Sequence, residues 1–192
     1  MKYVVLVHGI YDTPAVFTSM RKYLASQGWR VHAPALLPNS GADGLEMLAH
    51  QLYAFIEQNI PSDATLHVVG YSMGGLVARY YVQRLGGRAR IDCLVTLSTP
   101  HNGTYMAYFL PNKGTAQMRP GSAFLEDLNG DVMTLGTIRF VSLWTPWDLT
   151  IVPAKSSVLP VGHQVSLPKI MAHPLMLSSQ RCHEEVHRWL VS

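Results

Sequence analysis

The 192-residue chain carries only 14% Asp, Glu, Lys and Arg, against about 25% in an average globular protein. Its net charge of +3, with no block of Lys or Arg, excludes the usual signature of nucleic-acid binding, and 48% apolar residues exclude disorder. No stretch supplies the roughly 20 apolar residues of a membrane span: the charge-free segment 93–112 is interrupted by Pro100 and Gly103.

Short apolar runs alternate along the chain with helix-period segments. Residues 3–8 read as a buried strand. Thr13 has the position of an N-cap, with Pro14 at the first helical position. Val16, Phe17, Met20 and Leu24 then mark one helix face, and Gly28 marks its stop. Residues 29–33 form a second strand, followed by a loop with Pro34, Pro38 and Gly41. Asp43 and Glu46 have capping-box spacing ahead of a helix with Leu45, Leu48, Leu52, Phe55 and Ile56 inward. A strand at 65–71 leads into a helix at 73–85, which Gly86-Gly87 ends. A fourth strand is predicted at 91–97. Residues 98–136 read as mostly irregular, with helical turns at 105–110 and 123–128. Strands at 138–144 and 163–167 follow. A helix at 177–191 closes the chain, with Cys182, Val186, Trp189 and Leu190 inward.

This alternation predicts an α/β protein: a three-layer α/β/α sandwich around a mostly parallel central sheet of about six strands. No linker or repeat divides the chain, so residues 1–192 are expected to form one domain. Cys93 and Cys182 read as small core residues rather than a disulfide pair. Met1-Lys2 runs straight into the first strand without a leader-like segment, which makes a cytoplasmic location the expectation.

The most informative stretch is Gly70-Tyr71-Ser72-Met73-Gly74-Gly75. It matches G-x-S-x-G with a strand before it and a helix after it. A serine on so sharp a turn is held in a strained backbone conformation, with its hydroxyl above the sheet. The flanking glycines are needed because side chains there would strike neighbouring backbone. The helix N-terminus offers N–H groups and a positive dipole end where an oxyanion would form. The second oxyanion donor is expected from the loop after an earlier strand. His8-Gly9-Ile10-Tyr11 follows the first strand, so the backbone N–H groups of Ile10 and Met73 are the expected pair. His8 reads as a structural histidine bracing that loop.

His-Gly near the N-terminus, the run Gly70-Tyr71-Ser72-Met73-Gly74-Gly75-Leu76-Val77-Ala78-Arg79-Tyr80-Tyr81, and Leu97-Ser98-Thr99-Pro100-His101-Asn102-Gly103-Thr104 together resemble the α/β-hydrolase superfamily. Within it the chain is similar to the small lidless bacterial lipases and esterases. The resemblance implies a minimal α/β-hydrolase fold and an ester hydrolase that uses Ser, Asp and His in that chain order, without metal or cofactor.

Asp148 lies after the fifth strand, with Ile151-Val152-Pro153 behind it, where the family places the acid; Asp131 is the rival but precedes that strand. Among nine histidines, His173 sits after the sixth strand and before the last helix, where the family places its base. The chain departs from the family pattern in having Ala172 where a Gly is common and Pro174 directly after, which restricts His173 to extended conformations. His163 is the rival base. His101 is expected to hydrogen-bond backbone in the Pro-His-Asn-Gly loop. His183-Glu184-Glu185-Val186-His187 satisfies the zinc-protease pattern H-E-x-x-H, but a catalytic zinc needs a third protein ligand and the chain ends at Ser192. Its other reading is the polar outer face of the last helix.

The roughly 40 residues between the fourth and fifth strands are too few for a cap domain of 50 or more, so an open site is expected. Tyr105, Met106, Tyr108, Phe109 and Leu110 would lie beside it as an apolar acyl groove, with Trp147 flanking its mouth and Tyr11 a further substrate-binding candidate. The expected substrate is a lipid or medium-to-long acyl ester; a small-ester esterase or thioesterase, and an inactive binding module, are the alternatives. Peripheral contact with a lipid surface and a monomeric state complete the expectation.

Overall fold

The structure is a computed structural model and describes residues 2–192. Six strands form one sheet: β1 (Lys2–Val7), β2 (Arg30–His32), β3 (Thr65–Tyr71), β4 (Ile91–Leu97), β5 (Arg139–Trp144) and β6 (His163–Ser166). Their order is β2-β1-β3-β4-β5-β6, and every neighbouring pair is parallel. The all-parallel sheet explains the near-continuous apolar runs of its central strands, because helices cover both faces.

One face carries α2 (Leu45–Asn59), α3 (Met73–Arg84) and the short helices α4 (Lys113–Gln117) and α5 (Ala123–Gly130). The other carries α1 (Thr18–Ser26), α6 (Leu175–Ser178) and α7 (Gln180–Val191). Val5, Val7, Leu66 and Val68 point into the first layer, while Val4, Leu6, Val69 and Val95 point into the second. This is the period-2 alternation of strand side chains. Cys93 and Cys182 are free thiols in the second layer, and burial pushes both up to about 12.

The chain leaves β1 toward β2 on one side and returns to β3 on the other. The strand order therefore reverses between β1 and β3, and such a switch point opens a crevice at the carboxyl ends of the strands. His8–Ile10 and Ser72 stand at those two strand ends, so topology alone brings them together.

Several local expectations are corrected. Thr13 makes no capping bond, and Pro14–Phe17 is a 3-10 turn ahead of α1. Asp43 does not cap α2 either. Gly44 holds the N-cap, and Gln117 serves in its place by accepting from Leu45 N at 2.8 Å and donating to Glu46 Oε1 at 2.6 Å. Residues 98–136 hold more helix than expected, with α4 started by a capping box between Asn112 and Thr115 and a 3-10 turn at Val132–Thr137. The closing helix is broken at Ser179, whose hydroxyl caps α7. On α7, Cys182, Val186 and Leu190 are buried, but Trp189 is half-buried and its ring lies 4.5 Å from that of His163.

His183 is buried rather than on the polar face, with Nε2 donating to the Leu177 carbonyl at 2.7 Å. His187 Nδ1 accepts from Trp29 Nε1 at 3.1 Å. The two histidines of the H-E-x-x-H stretch thus tie α7 to α6 and to the start of β2.

Candidate active site

β3 ends at Tyr71 and α3 begins at Met73, leaving Ser72 alone to make the turn at φ 53°, ψ −123°. A non-glycine residue there is strained at a cost of order 1–3 kcal/mol. Its neighbours show why glycine is required around it. A Cβ on Gly74 would strike the Val7 carbonyl and lie 2.5 Å from the His8 carbonyl; a Cβ on Gly70 would lie 2.5 Å from Gly75 Cα. The turn therefore packs backbone against backbone, between the loop after β1 and the start of α3.

Ser72 N donates to Leu97 O at 2.8 Å, which anchors the turn to β4. Met73 N and Ile10 N donate to no backbone carbonyl among the described residues. Met73 is the first residue of α3, so its N–H is one of the helix's orphan donors. The loop before it is fixed by His8. Leu36 N donates to His8 Nε2 at 3.0 Å, so the proton sits on Nδ1, which donates to Gly9 O at 2.9 Å. Tyr11, at φ 60°, turns the chain back as its N–H donates to Asn39 O at 2.8 Å.

Asp148 and His173 come from the loops after β5 and β6. Asp148 Oδ1 accepts from Thr150 N at 2.9 Å and Ile151 N at 2.8 Å, and Oδ2 lies 2.7 Å from His173 Nδ1. Both side chains are buried. Burial pushes the Asp148 carboxyl up, but the His173 bond and charge, the Ile151 N–H and the nearby Ser98 hydroxyl outweigh it, leaving the group below its ordinary 3.8. The two loops are held to each other by Thr145 Oγ1 donating to Ile170 O and by Trp147 Nε1 donating to Pro168 O at 2.9 Å.

The His173 ring packs on Tyr71 with centroids 4.8 Å apart, next to Ser72 in sequence. The Ser72 hydroxyl and His173 Nε2 make no hydrogen bond among the described residues. Such contacts are commonly loose until substrate is bound. Asp131 lies elsewhere, engaged with Gln83 and Arg84, and His163 packs on Trp189.

The Pro-His-Asn-Gly loop braces this arrangement differently from expectation. The His101 ring is fully buried and bonds side chains, not backbone. Arg79 Nη1 donates to its Nδ1 at 3.4 Å, so Nε2 carries the proton toward Thr96 Oγ1 at 3.0 Å. Burial lowers His101 well below its usual range and lowers Arg79 to about 9. Asn102 Nδ2 donates to Ser156 O at 3.1 Å and Val158 O at 2.9 Å. Thr104 Oγ1 donates to Thr150 O at 2.8 Å and accepts from Val152 N at 2.9 Å. The loop after β4 is thus stitched to the segment that carries Asp148.

A cavity of about 60 Å³ opens beside Ser72, lined by Ile10, Pro100, Thr104, Met106, Ala107, Leu110, Thr115, Met118, Thr150 and Ile151. Of the expected groove residues, Met106 and Leu110 line it. Tyr11, Tyr105, Phe109 and Trp147 do not: they are 55%, 58%, 76% and 52% exposed on the surrounding loops. The 3-10 turn Tyr105–Phe109 buries only Ala107, so its aromatic side chains face outward.

Asp12 is a site neighbour that sequence reasoning missed. A Cβ on Gly9 would sit 2.8 Å from Asp12 Oδ2 and 3.2 Å from Ser72 Cβ. The carboxylate and the serine side chain therefore border one notch. No spacing rule points to this residue; only the space left by Gly9 reveals it.

A parallel sheet with a strained serine after β3 and a buried Asp–His pair after β5 and β6 defines an α/β-hydrolase, and solved structures share the fold. The mature lipase BlEst2 of Bacillus licheniformis aligns with a TM-score of 0.76 at 15% identity, covering 97% of this chain and 91% of that one. Lipase B of Aspergillus fumigatus aligns at 0.76 and 18% identity, over 92% of this chain and 49% of that one. More narrowly, the chain belongs to the palmitoyl protein thioesterase family, whose model matches residues 3–134. The human lysosomal thioesterase PPT2 is 29% identical over 108 residues, 54% of this chain and 35% of that protein; the mouse protein is 28% identical over the same span. The chain spans about a third of the length of these curated relatives. The family match includes Ser72 and ends before Asp148 and His173.

Proposed function

We propose that this protein is a serine acyl hydrolase in which Ser72 is the nucleophile, His173 the general base and acid, and Asp148 the group that orients it. The observation that carries this reading is the Asp148–His173 pair, 2.7 Å apart and buried, on the same sheet edge as a serine at positive φ. Asp148 fixes the tautomer with the proton on Nδ1 and leaves Nε2 free to accept. His173 Nε2 takes the Ser72 proton as Oγ attacks the acyl carbonyl. The Ile10 and Met73 N–H groups receive the oxyanion. His173 then protonates the departing alcohol or thiol, and water, activated by the same imidazole, releases the acid and restores Ser72.

The substrate is a lipid or a medium-to-long acyl ester. The cavity is far below the roughly 300–1,000 Å³ of a pocket that encloses a drug-sized ligand, so it holds the first part of an acyl chain. The remainder runs out over the exposed rim at Met106 and Phe109. That rim, with Tyr11, Trp147 and Leu149, is suited to peripheral contact with a lipid surface. A thioester in place of the oxyester is the second reading, favoured by the thioesterase names of the curated relatives.

The test is labelling by a fluorophosphonate probe together with turnover of nitrophenyl esters of graded chain length. Labelling at Ser72, turnover that peaks beyond acetate, and loss of both in Ser72→Ala are expected. Turnover retained by Ser72→Ala would overturn the reading. Matched oxy- and thioesters of one acyl chain separate the two substrate classes.

A further inference from the structure

The site has two sides. The apolar cavity lies toward the loop after β4, and none of Asp12, Tyr71 or His173 lines it. The opposite side is formed by the His173 ring on Tyr71 and by the notch over Gly9, which Tyr71 Cδ1, Ser72 Cβ and Asp12 Oδ2 border at 3.2, 3.2 and 2.8 Å from the missing Cβ. With the acyl chain in the cavity, the leaving group must lie on this second side, because His173 has to protonate it.

Asp12 is built into position. Its N–H donates to Gly9 O at 3.3 Å, and its own carbonyl accepts from Asn39 Nδ2 at 2.9 Å. The turn thus aims the carboxylate back over Gly9. It is half-buried and joins no ion pair among the described residues. Burial raises its carboxyl, and the charge of a protonated His173 and the Gly9 N–H draw it back. It takes no part in the Asp148–His173 pair. A carboxylate held beside the nucleophile and making no ion-pair contact is complementary to a positive charge brought by the substrate.

The geometry points to Asp12 as a specificity-determining residue for the leaving group: its carboxylate favours alcohols or thiols that carry a cation near the scissile bond and disfavours anionic ones. This rests on the hydrolase reading above. At a separation of several ångströms near a protein surface, one unit charge shifts the preference by about tenfold.

The experiment uses three thioesters of one acyl chain: the thiocholine ester, the ester of its neutral isostere 3,3-dimethylbutanethiol, and the ester of mercaptoethanesulfonate. The readout is the ratio of kcat/KM values within each protein, which a general loss of activity does not move. The wild type should prefer cationic over neutral and neutral over anionic, by about tenfold at each step. Asp12→Asn and Asp12→Ser should both flatten the series, while Asp43→Asn, at an exposed acid that does not line the cavity, should retain it. A wild-type series with no preference, or a series unchanged in both Asp12 variants, overturns the assignment even when Ser72 is labelled. Absence of both labelling and turnover in the wild type fails the hydrolase reading itself, and this inference with it.

Discussion

Asp148 Oδ2 lies 2.7 Å from His173 Nδ1, and Oδ1 of the same carboxylate is held by the N–H groups of Thr150 and Ile151. One oxygen is fixed by its own loop and the other is directed at the imidazole. Asp148→Asn keeps the shape and removes the charge, presenting an N–H donor or an uncharged carbonyl to Nδ1. We expect kcat to fall by about 10³–10⁴-fold with labelling of Ser72 slowed in parallel. Far-UV circular dichroism should be unchanged. Activity within tenfold of wild type would remove Asp148 from its role.

The same carboxylate carries a pH signature in stability. Its folded-state pKa is depressed below 3.8, so the unfolded chain takes up the proton first as pH falls. The contribution is present above that value and is lost as pH drops through the folded pKa. Urea midpoints measured from pH 6 to pH 2 should therefore converge for wild type and Asp148→Asn at the acid end.

His67 acts in a different window. It is buried on β3, with neither ring nitrogen hydrogen-bonded, and packs edge-on to Trp29 at 4.9 Å. Burial lowers it to about 4, against the opposing pull of Asp92. The unfolded chain binds this proton from about pH 6.5 downward and the folded chain only near 4, so stability drains between those values. His67→Leu should abolish that slope, worth up to about 3 kcal/mol. A urea-midpoint profile over pH 4–7 that is identical in the two proteins would contradict this.

Gly74→Ala should be far worse than its size suggests. The added methyl meets the backbone carbonyls of Val7 and His8, which cannot swing away as a side chain would. We expect about 1–3 kcal/mol of destabilisation and loss of Ser72 labelling, since relief requires the turn to move. Gly130→Ala, where a Cβ meets nothing within 4 Å, should leave labelling intact and stability equal or slightly raised. Thermal melts and probe kinetics on the pair check this.

The exposed rim gives a binding prediction independent of turnover. Phe109 is 76% exposed and Trp147 is 52% exposed, on loops after β4 and β5, and the exposed Lys113, Lys155 and Lys169 lie in the segments after β4, β5 and β6. Partitioning of Ser72→Ala onto anionic vesicles should weaken by about tenfold or more when Phe109 and Trp147 are both changed to Ser. Equal sedimentation with vesicles for both proteins would refute the contact.

What could be read from the chain followed the range of the forces involved. β3 and β4 have the bounds predicted for them, because a strand buried on both faces leaves a mostly apolar run between turn residues, even with His67 and Asp92 inside it. The serine turn was legible because its glycine needs are local. The cap on α2 was not, since Gln117 reaches it from 72 residues away. His183 looked like half of a surface motif; its burial depends on how α6 packs, which no helical period encodes. Apolar logic puts the aromatic residues Tyr105, Tyr108 and Phe109 in the groove, but a 3-10 turn there points them outward. Asp12 had no signal at all until the backbone around Gly9 was in place.

Thr104 has a mechanical consequence. Its hydroxyl joins Thr150 O to Val152 N, and Thr104, Thr150 and Ile151 also wall the cavity. The Thr150 and Ile151 N–H groups are the ones that grip Asp148. The cavity wall and the clamp on Asp148 are thus one short piece of backbone. Under the proposed function, an ill-fitting acyl chain would press on the clamp as it enters, and chain length should then change turnover as well as affinity.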